Sequence, residues 1–402
     1  MDWYYYIALT AIIAQLIFLY QMCRNYYYVL ARYKRERSSY RPRTALLVPC
    51  SGRDLDFQKN ITSFFKQDYE NYLLCFIVAD KADPAYSELC RLKEQLSQST
   101  KANDVRLFVA GGAKHCSQKI HNLLYCYQNI GEDIEVLAFA DSDISVRSDW
   151  LAQLVYPLRK MKCGAASGYR WFVPGKNNPA SLALSAVNAK IAQLLGDTHF
   201  NQAWGGSMAI RTETFRRLGL DKIWAKSISD DLSLSCAVKK AGMKVVFVPA
   251  CLVASYESTT WLKLFEFGRR QFLITRVNAP RTWWFGLCSG LFSILGLWAA
   301  AAIAVYAAMT GQKHLALYVA VPALFFISQL TRTILRQRMI SKLLKEHWHK
   351  MKAACAADVI FFWLWSLLML FFIISSAFGR TIRWRGIRYK LLSPTKTIVV
   401  SR

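Results

Sequence analysis

Two acidic groupings carry the residue types that metal and proton chemistry require, Asp141-Ser142-Asp143 and Asp230-Asp231. Along extended backbone, positions i and i+2 project to one side. Asp141 and Asp143 would therefore present two carboxylates to a hard cation while Ser142 faces away. Oxygen ligands at an open site suit Mg²⁺ or Mn²⁺, and such a cation would bridge a diphosphate, the leaving group whose charge must be neutralised in transfer from a nucleotide sugar. The same carboxylates would also serve as caps of a helix beginning near Ser148, or as a solvated turn. The apolar run of residues 134–140 that leads into them favours the ligand reading. Asp230-Asp231 opens a helix, where one member caps the helix and the other points into a cleft.

The elements that must position these groups alternate from Thr44 onward. Strands are expected at residues 45–49, 72–79, 105–110, 134–140, 164–167 and 244–248. Helices are expected at 55–66, 84–98, 118–128 and 149–161, with another from Asp230. That alternation implies an α/β fold, a mostly parallel sheet covered by helices. Ligands of such sheets bind outside the carboxyl ends of the strands, which singles out Pro49-Cys50, Asp80 and Asp141-Ser142-Asp143.

Around this region the chain is apolar. Hydrophobic residues make up 54% of its 402 positions. Residues 3–23, 284–309, 315–330 and 354–378 form four apolar runs, enough for one N-terminal and about three C-terminal membrane helices. The net charge of +26 gathers in segments 24–43, 332–352 and 380–402. Basic clusters beside membrane segments mark cytoplasmic ends and attract anionic lipid headgroups, and with no nucleic-acid module in the chain a nucleic-acid partner is excluded. Four simple crossings from an outside N-terminus would put the basic tail outside, against its charge, so either the last run is a re-entrant hairpin that returns the tail to the cytosol or the charge rule fails at this end. Eleven cysteines without a C-x-x-C pair suit reduced thiols in the cytosol, and six histidines without ligand spacing give no zinc site.

Pro49 after the first strand, Ser63-Phe64-Phe65-Lys66-Gln67-Asp68-Tyr69, Ala79-Asp80, Lys119 before Asn122-Leu123-Leu124, and Asp141-Ser142-Asp143 follow one another in an order that resembles the inverting family-2 glycosyltransferases. Trp204-Gly205-Gly206-Ser207-Met208, Ser229-Asp230-Asp231-Leu232 and Trp384-Arg385-Gly386-Ile387-Arg388-Tyr389 extend the likeness over nearly the whole chain, toward the ceramide glucosyltransferases. The resemblance implies a glycosyltransferase A-type fold, a UDP-sugar donor, a membrane-lipid acceptor and a divalent metal at Asp141 and Asp143. It also implies that Asp80 contacts the uridine or ribose, that Lys119 lies near the nucleotide, and that Pro49, Asp141, Gly205 and Gly206 shape the donor site. Asp231 matches the general base, with Asp230 as the structural member of the pair. Where the family carries R/Q-x-x-R-W, this chain reads Glu266-Phe267-Gly268-Arg269-Arg270 followed by Gln271. Arg269 is in register with the motif arginine that would hold the departing diphosphate, and Arg270 replaces the tryptophan near the acceptor. Trp261, Leu264, Phe265, Gly268, Phe272 and Ile274 would equally form the apolar face of an interfacial helix, with the arginines at headgroups.

The expected organisation is a membrane anchor at 1–24, a cytosolic catalytic domain at 40–255, an interfacial amphipathic helix at 256–282, membrane helices at 283–378 and a basic tail at 379–402. The expected host is a bacterial inner membrane. The expected activity is inverting transfer of a hexose, glucose, to a lipid hydroxyl. A processive polysaccharide synthase and a non-catalytic membrane scaffold are the alternatives.

Overall fold

The computed structural model describes residues 2–34, 40–54 and 56–401. Arg35 and Arg37 of the first basic cluster, and Leu55 at the expected start of a helix, lie outside the described residues.

Strands β1 (Thr44–Pro49), β2 (Tyr72–Val78), β3 (Asp104–Val109), β4 (Val136–Ala140), β5 (Cys163–Pro174), β6 (Ser207–Arg211) and β7 (Lys244–Glu257) form a seven-stranded sheet in the order β3-β2-β1-β4-β6-β5-β7. Pairing from β3 to β4 and between β5 and β7 is parallel, and β6 runs antiparallel to both neighbours. The period of two explains why β1 and β2 are apolar throughout. Leu46, Val48, Leu74 and Phe76 enter the core on one face, and Ala45, Leu47, Cys75 and Ile77 the core on the other. The order reverses between β1 and β4, and the crevice at such a switch point opens at the carboxyl ends where Pro49 and Asp141 sit.

The expected helices form with their own caps. Asp83 accepts from the Ala85 N–H before Pro84–Leu96, and Ser117 Oγ accepts from Ile120 before Gln118–Asn129. β5 and β7 are longer than expected. Irregular register near Ser167 and Tyr169 carries the pair past Pro249, which lacks an N–H and reads as a strand end.

Among the described residues, three helices are long and apolar enough to cross a membrane. One begins the chain (Asp2–Tyr33), and the others cover Pro280–Met309 and Leu315–Leu343. The fourth apolar run is split into Trp348–Ile360 and Phe362–Ser376, bent by 86°. The start of this bent pair touches strand β7 and its far end the Trp261–Asn278 helix. Near its start, His347 Nδ1 lies 2.6 Å from Tyr256 Oη, and Tyr33 Oη donates to the Leu343 carbonyl at 2.9 Å. At its far end, Arg276 donates to the Ala377 and Gly379 carbonyls.

The tail is more than a basic run. It folds into a second antiparallel sheet of β8 (Thr381–Trp384), β9 (Ile387–Ser393) and β10 (Lys396–Ser401). The two-residue turn Arg385-Gly386 has φ of 46° and 83°, the left-handed pair that a tight hairpin requires. Ser227 Oγ donates to the Pro394 carbonyl at 2.9 Å, and Arg385 donates to the Ser51 carbonyl, so the sheet docks on the catalytic domain. The expected interfacial helix, Trp261–Asn278, is enclosed in the same way. Gly268 packs against the Phe372 ring so closely that a Cβ would lie 2.6 Å from it, while Trp261 and Leu262 remain exposed.

Candidate active site

A cavity of about 910 Å³ opens at the carboxyl end of β4 and extends between the membrane helices. Asp141, Asp143, Asp230 and Asp231 line it together with Lys119, Pro49 and Gly205. This corrects the expectation of extended backbone through the triplet: β4 ends at Ala140, Ser142 and Asp143 form a turn, and Ser142, 4% exposed, lines the cavity with its two neighbours.

Lys119 ties the carboxylates together. Its Nζ lies 2.7 Å from Asp141 Oδ1 and 3.0 Å from Asp230 Oδ2. Burial pulls the Lys119 ammonium toward neutrality, but Asp141, Asp230 and Asp231 override it and hold the group above its ordinary value. Burial likewise opposes ionisation of Asp141, and the Lys119 charge reverses this, so that its carboxyl falls below the usual value. Asp143 has no such counter-ion. Burial, followed by the charge of Asp141, pushes its carboxyl up to about 6. Its Oδ1 is buried without a hydrogen-bond partner among the described residues.

That orphaned oxygen beside the Asp141 carboxylate fits a hard cation, which would supply the missing charge. Among the described residues no three His, Cys, Asp or Glu side chains converge to hold a metal, so ligand and water oxygens would complete its shell.

The two acidic neighbours separate clearly. Ser229, rather than either aspartate, caps the helix Asp230–Lys240, its Oγ accepting from the Leu232 N–H at 3.2 Å. This corrects the expectation that one of the pair would be the cap; a serine just before them fills that position. Asp230 is 3% exposed and faces Lys119, and burial pushes its carboxyl to about 6. Asp231 is the more exposed. Its Oδ2 accepts the Gly205 N–H at 3.1 Å and its Oδ1 the Leu232 N–H at 2.7 Å, which aims the carboxylate at the cavity.

The glycines answer to these side chains. A Cβ at Gly205 would lie 2.4 Å from Asp230 Oδ2 and 2.7 Å from Lys119 Nζ, and one at Gly206 would lie 2.7 Å from Asp141 Oδ2. The carboxylate cluster thus excludes a side chain at Gly205, and the Trp204 ring, 2.3 Å from such a Cβ, together with Asp141 excludes one at Gly206.

Two expected site residues stand elsewhere. Asp80 is exposed at the end of β2 and away from the cavity lining, its Oδ1 accepting the Ala82 N–H at 2.9 Å in a local turn. Arg269 turns away from the cavity to donate to the Phe378 carbonyl at 2.8 Å and the Thr381 carbonyl at 3.3 Å. Its neighbour Arg270 lines the cavity instead, stacked over Phe267 and Trp384. Sequence reasoning left Arg170 unmarked. It lies over Phe172, Trp204 and Phe267, and its charge, with that of Arg385, acts on both Asp141 and Asp143. Arg170 sits past the point where β5 was expected to end, and no spacing signal marked it.

The sequence profile of glycosyl transferase family 21 matches residues 3–397, nearly the full chain. The chain belongs to glycosyl transferase family 21. This family 21 member is 26% identical to ceramide glucosyltransferase 3 of Caenorhabditis elegans over 148 residues, which span 35% of the chain and 31% of that relative's length. Two solved structures are similar to it. One is a mannosyltransferase of Pyrobaculum calidifontis in complex with GDP-mannose and Mn²⁺, with a TM-score of 0.46, 14% identity, and coverage of 92% of this chain and 97% of that one. The other is GalNAc-T7 with UDP, GalNAc and Mn²⁺, with a TM-score of 0.39, 14% identity, and coverage of 62% and 51%. Family membership accords with the family-2-like resemblance in sequence.

Proposed function

We propose that this glycosyltransferase moves a hexose, glucose, from a UDP-sugar to a hydroxyl of a membrane lipid such as ceramide, with inversion at the sugar carbon. One observation carries the reading. The carboxylate cluster opens into a cavity whose farther walls include Phe18, Phe285, Met369 and Phe372 on membrane-embedded helices, so a lipid can bring its hydroxyl to the donor without leaving the bilayer.

In this reading Pro49 and Gly205 shape the donor pocket, with the nucleoside directed past Pro49 toward Asp80. Arg170, Arg270 and Arg385 face the phosphates in place of the outward-turned Arg269. Mg²⁺ or Mn²⁺ held by Asp141 and Asp143 would neutralise the diphosphate as it departs. Lys119 fixes Asp141 and Asp230 so that repulsion does not splay the cluster. Asp231 takes the proton from the acceptor hydroxyl as that oxygen bonds to the anomeric carbon, and the electron pair of the breaking bond leaves with UDP. In this reading the bent apolar pair is re-entrant and the tail lies on the catalytic side, which the docking of the tail sheet at Ser51 and Ser227 supports. The basic character of that side makes it cytosolic.

Mass spectrometry of lipids from cells expressing the chain should reveal a hexosylated lipid that an Asp231→Asn control lacks. A ladder of polymer in place of a single addition would overturn the lipid reading in favour of a processive synthase.

A further inference from the structure

Tyr169 lines the cavity within range of the Asp231 charge, and no step described so far uses it. It stands where β5 changes neighbours. β5 pairs with β6 only as far as Ser167, and its register against β7 breaks between Ser167 and Tyr169. Beyond that break Tyr169 and Arg170 both reach the cavity, although successive residues of a regular strand face opposite ways. Gly168 lets the chain turn there, since a Cβ would lie 2.1 Å from the Cys251 carbonyl oxygen and 2.5 Å from Ser207 Oγ. The two neighbours divide the cavity between them. Arg170 acts on Asp141 and Asp143, while Tyr169 meets Asn188 on the Pro179–Ala192 helix.

The phenol is held in place from two sides. Its ring meets the Trp204 ring edge-on, with centroids 5.9 Å apart. Asn188, 5% exposed, engages its Oδ1 with the Phe172 N–H at 3.2 Å, which leaves its Nδ2 to face the Tyr169 oxygen as a donor. Burial pushes the phenol up to about 12, so the hydroxyl keeps its own proton. Among the described residues that proton is donated to no acceptor, and an oxygen of the substrate is the partner the geometry leaves for it.

The wall beyond Asn188 identifies that substrate. Leu184, Val187 and Ile191 of the same helix line the cavity, so the Tyr169 hydroxyl lies where the carboxylates give way to an apolar surface. A neutral lipid whose hydroxyl reaches Asp231 brings its next polar group, the acyl carbonyl of an amide or ester, to that border, with its chains along the apolar side. Such a carbonyl accepts hydrogen bonds only, and drawn out of water it needs a donor. We propose that Tyr169, steadied by Asn188, donates a hydrogen bond to the acyl carbonyl of a neutral acceptor, and so selects lipids that carry a carbonyl beside the reacting hydroxyl. This rests on the lipid-transfer reading above and deepens it. Tyr169 keeps its proton throughout, and the proton of the reacting hydroxyl still passes to Asp231.

The test uses the full-length protein in phosphatidylcholine vesicles, with UDP-glucose as donor and two pairs of neutral acceptors. Ceramide is paired with an analogue whose amide is replaced by an ether, and diacylglycerol with dialkylglycerol. Within each pair the hydroxyl is kept and only the carbonyl is lost. In whichever pair is glycosylated, wild-type kcat/KM should be higher for the carbonyl-bearing member by about 3–10-fold, the scale of one hydrogen bond. Tyr169→Phe should remove that advantage, mainly through KM, and leave the ether-linked member within about two-fold of wild type. If Tyr169→Phe does not fold, the wild-type comparison still decides. Equal use of the two members by the wild type overturns the assignment, as does a preference that Tyr169→Phe leaves intact. Equal loss on both members also overturns it, since the phenol would then serve the fold or the donor. Absence of UDP release with all four lipids instead overturns the transferase reading itself.

Discussion

The two ends of the cavity are near opposites. At one end three carboxylates, Asp141, Asp230 and Asp231, gather around Lys119, and Asp143 stands beside Asp141 with Arg170 and Arg385 acting on both. At the other end Arg336 pairs with the buried Asp358, while Lys190 donates to the Ser366 hydroxyl. A site for a metal and a diphosphate needs both signs within reach, and the donor end has both. The other end holds one closed pair, Arg336 with Asp358, so its charge is already matched.

The strongest break in this comparison is at Asp231. Asp231→Asn should lower turnover by about 10²–10⁴ while UDP affinity, measured by calorimetry, stays near wild type, because the proton acceptor alone is lost. Comparable loss of UDP binding would reassign the residue to the donor. Removing the pairing charge at either end comes next. Lys119→Met and Asp358→Asn each strand buried charges of one sign, and each should reduce unfolding free energy by about 3–5 kcal/mol in denaturant titration. A neutral outcome for Asp358→Asn would mean that water already solvates Arg336.

At the donor end, Asp143→Asn should weaken metal-dependent UDP binding by about 10–100-fold, with metal-independent binding little changed. A finer test is pH. The Asp143 carboxyl sits at about 6, so it is protonated below that value and ionised above it. A cation competes with that proton, so Mn²⁺ affinity of the metal-free protein should rise with pH through about 6 and level off above. In Asp143→Asn the rise should vanish; if it persists, another group is being titrated. The smallest effect belongs to the tail. Arg385 and Asp54 form an exposed pair at 3.2 Å, and Arg385→Ala should cost about 0–1 kcal/mol of stability while raising KM for the donor a few-fold.

Much of the donor end was legible because its residues lie where local patterns end. Asp141 and Asp143 follow a strand buried on both faces, and Asp230 and Asp231 follow a serine cap. The strand end therefore pointed to the first pair, whereas for the second an aspartate was expected as the cap and Ser229 was missed. The membrane end was not legible. Arg332 and Arg336 read as part of a juxtamembrane basic cluster, and Asp358 as an isolated acid near the end of an apolar run. Their meeting depends on how the bent pair returns to pack against Leu315–Leu343, a long-range contact that periodicity does not encode. Arg269 illustrates the same limit on a smaller scale. One step of a helix turns a side chain by about 100°, so Arg269, singled out by its register, points away while Arg270 lines the cavity.

The docking of the C-terminal sheet has a consequence for biosynthesis. Arg385 reaches the Ser51 carbonyl across 334 positions of sequence. A growing chain can complete the strands around Pro49 and Asp141 long before it can close the pocket with Arg385 and Trp384. Closure must wait for translation of every intervening apolar segment and for its insertion into the bilayer. The donor site then assembles last, after the membrane end exists, and a partly inserted chain holds no finished pocket in which to spend nucleotide sugar on water.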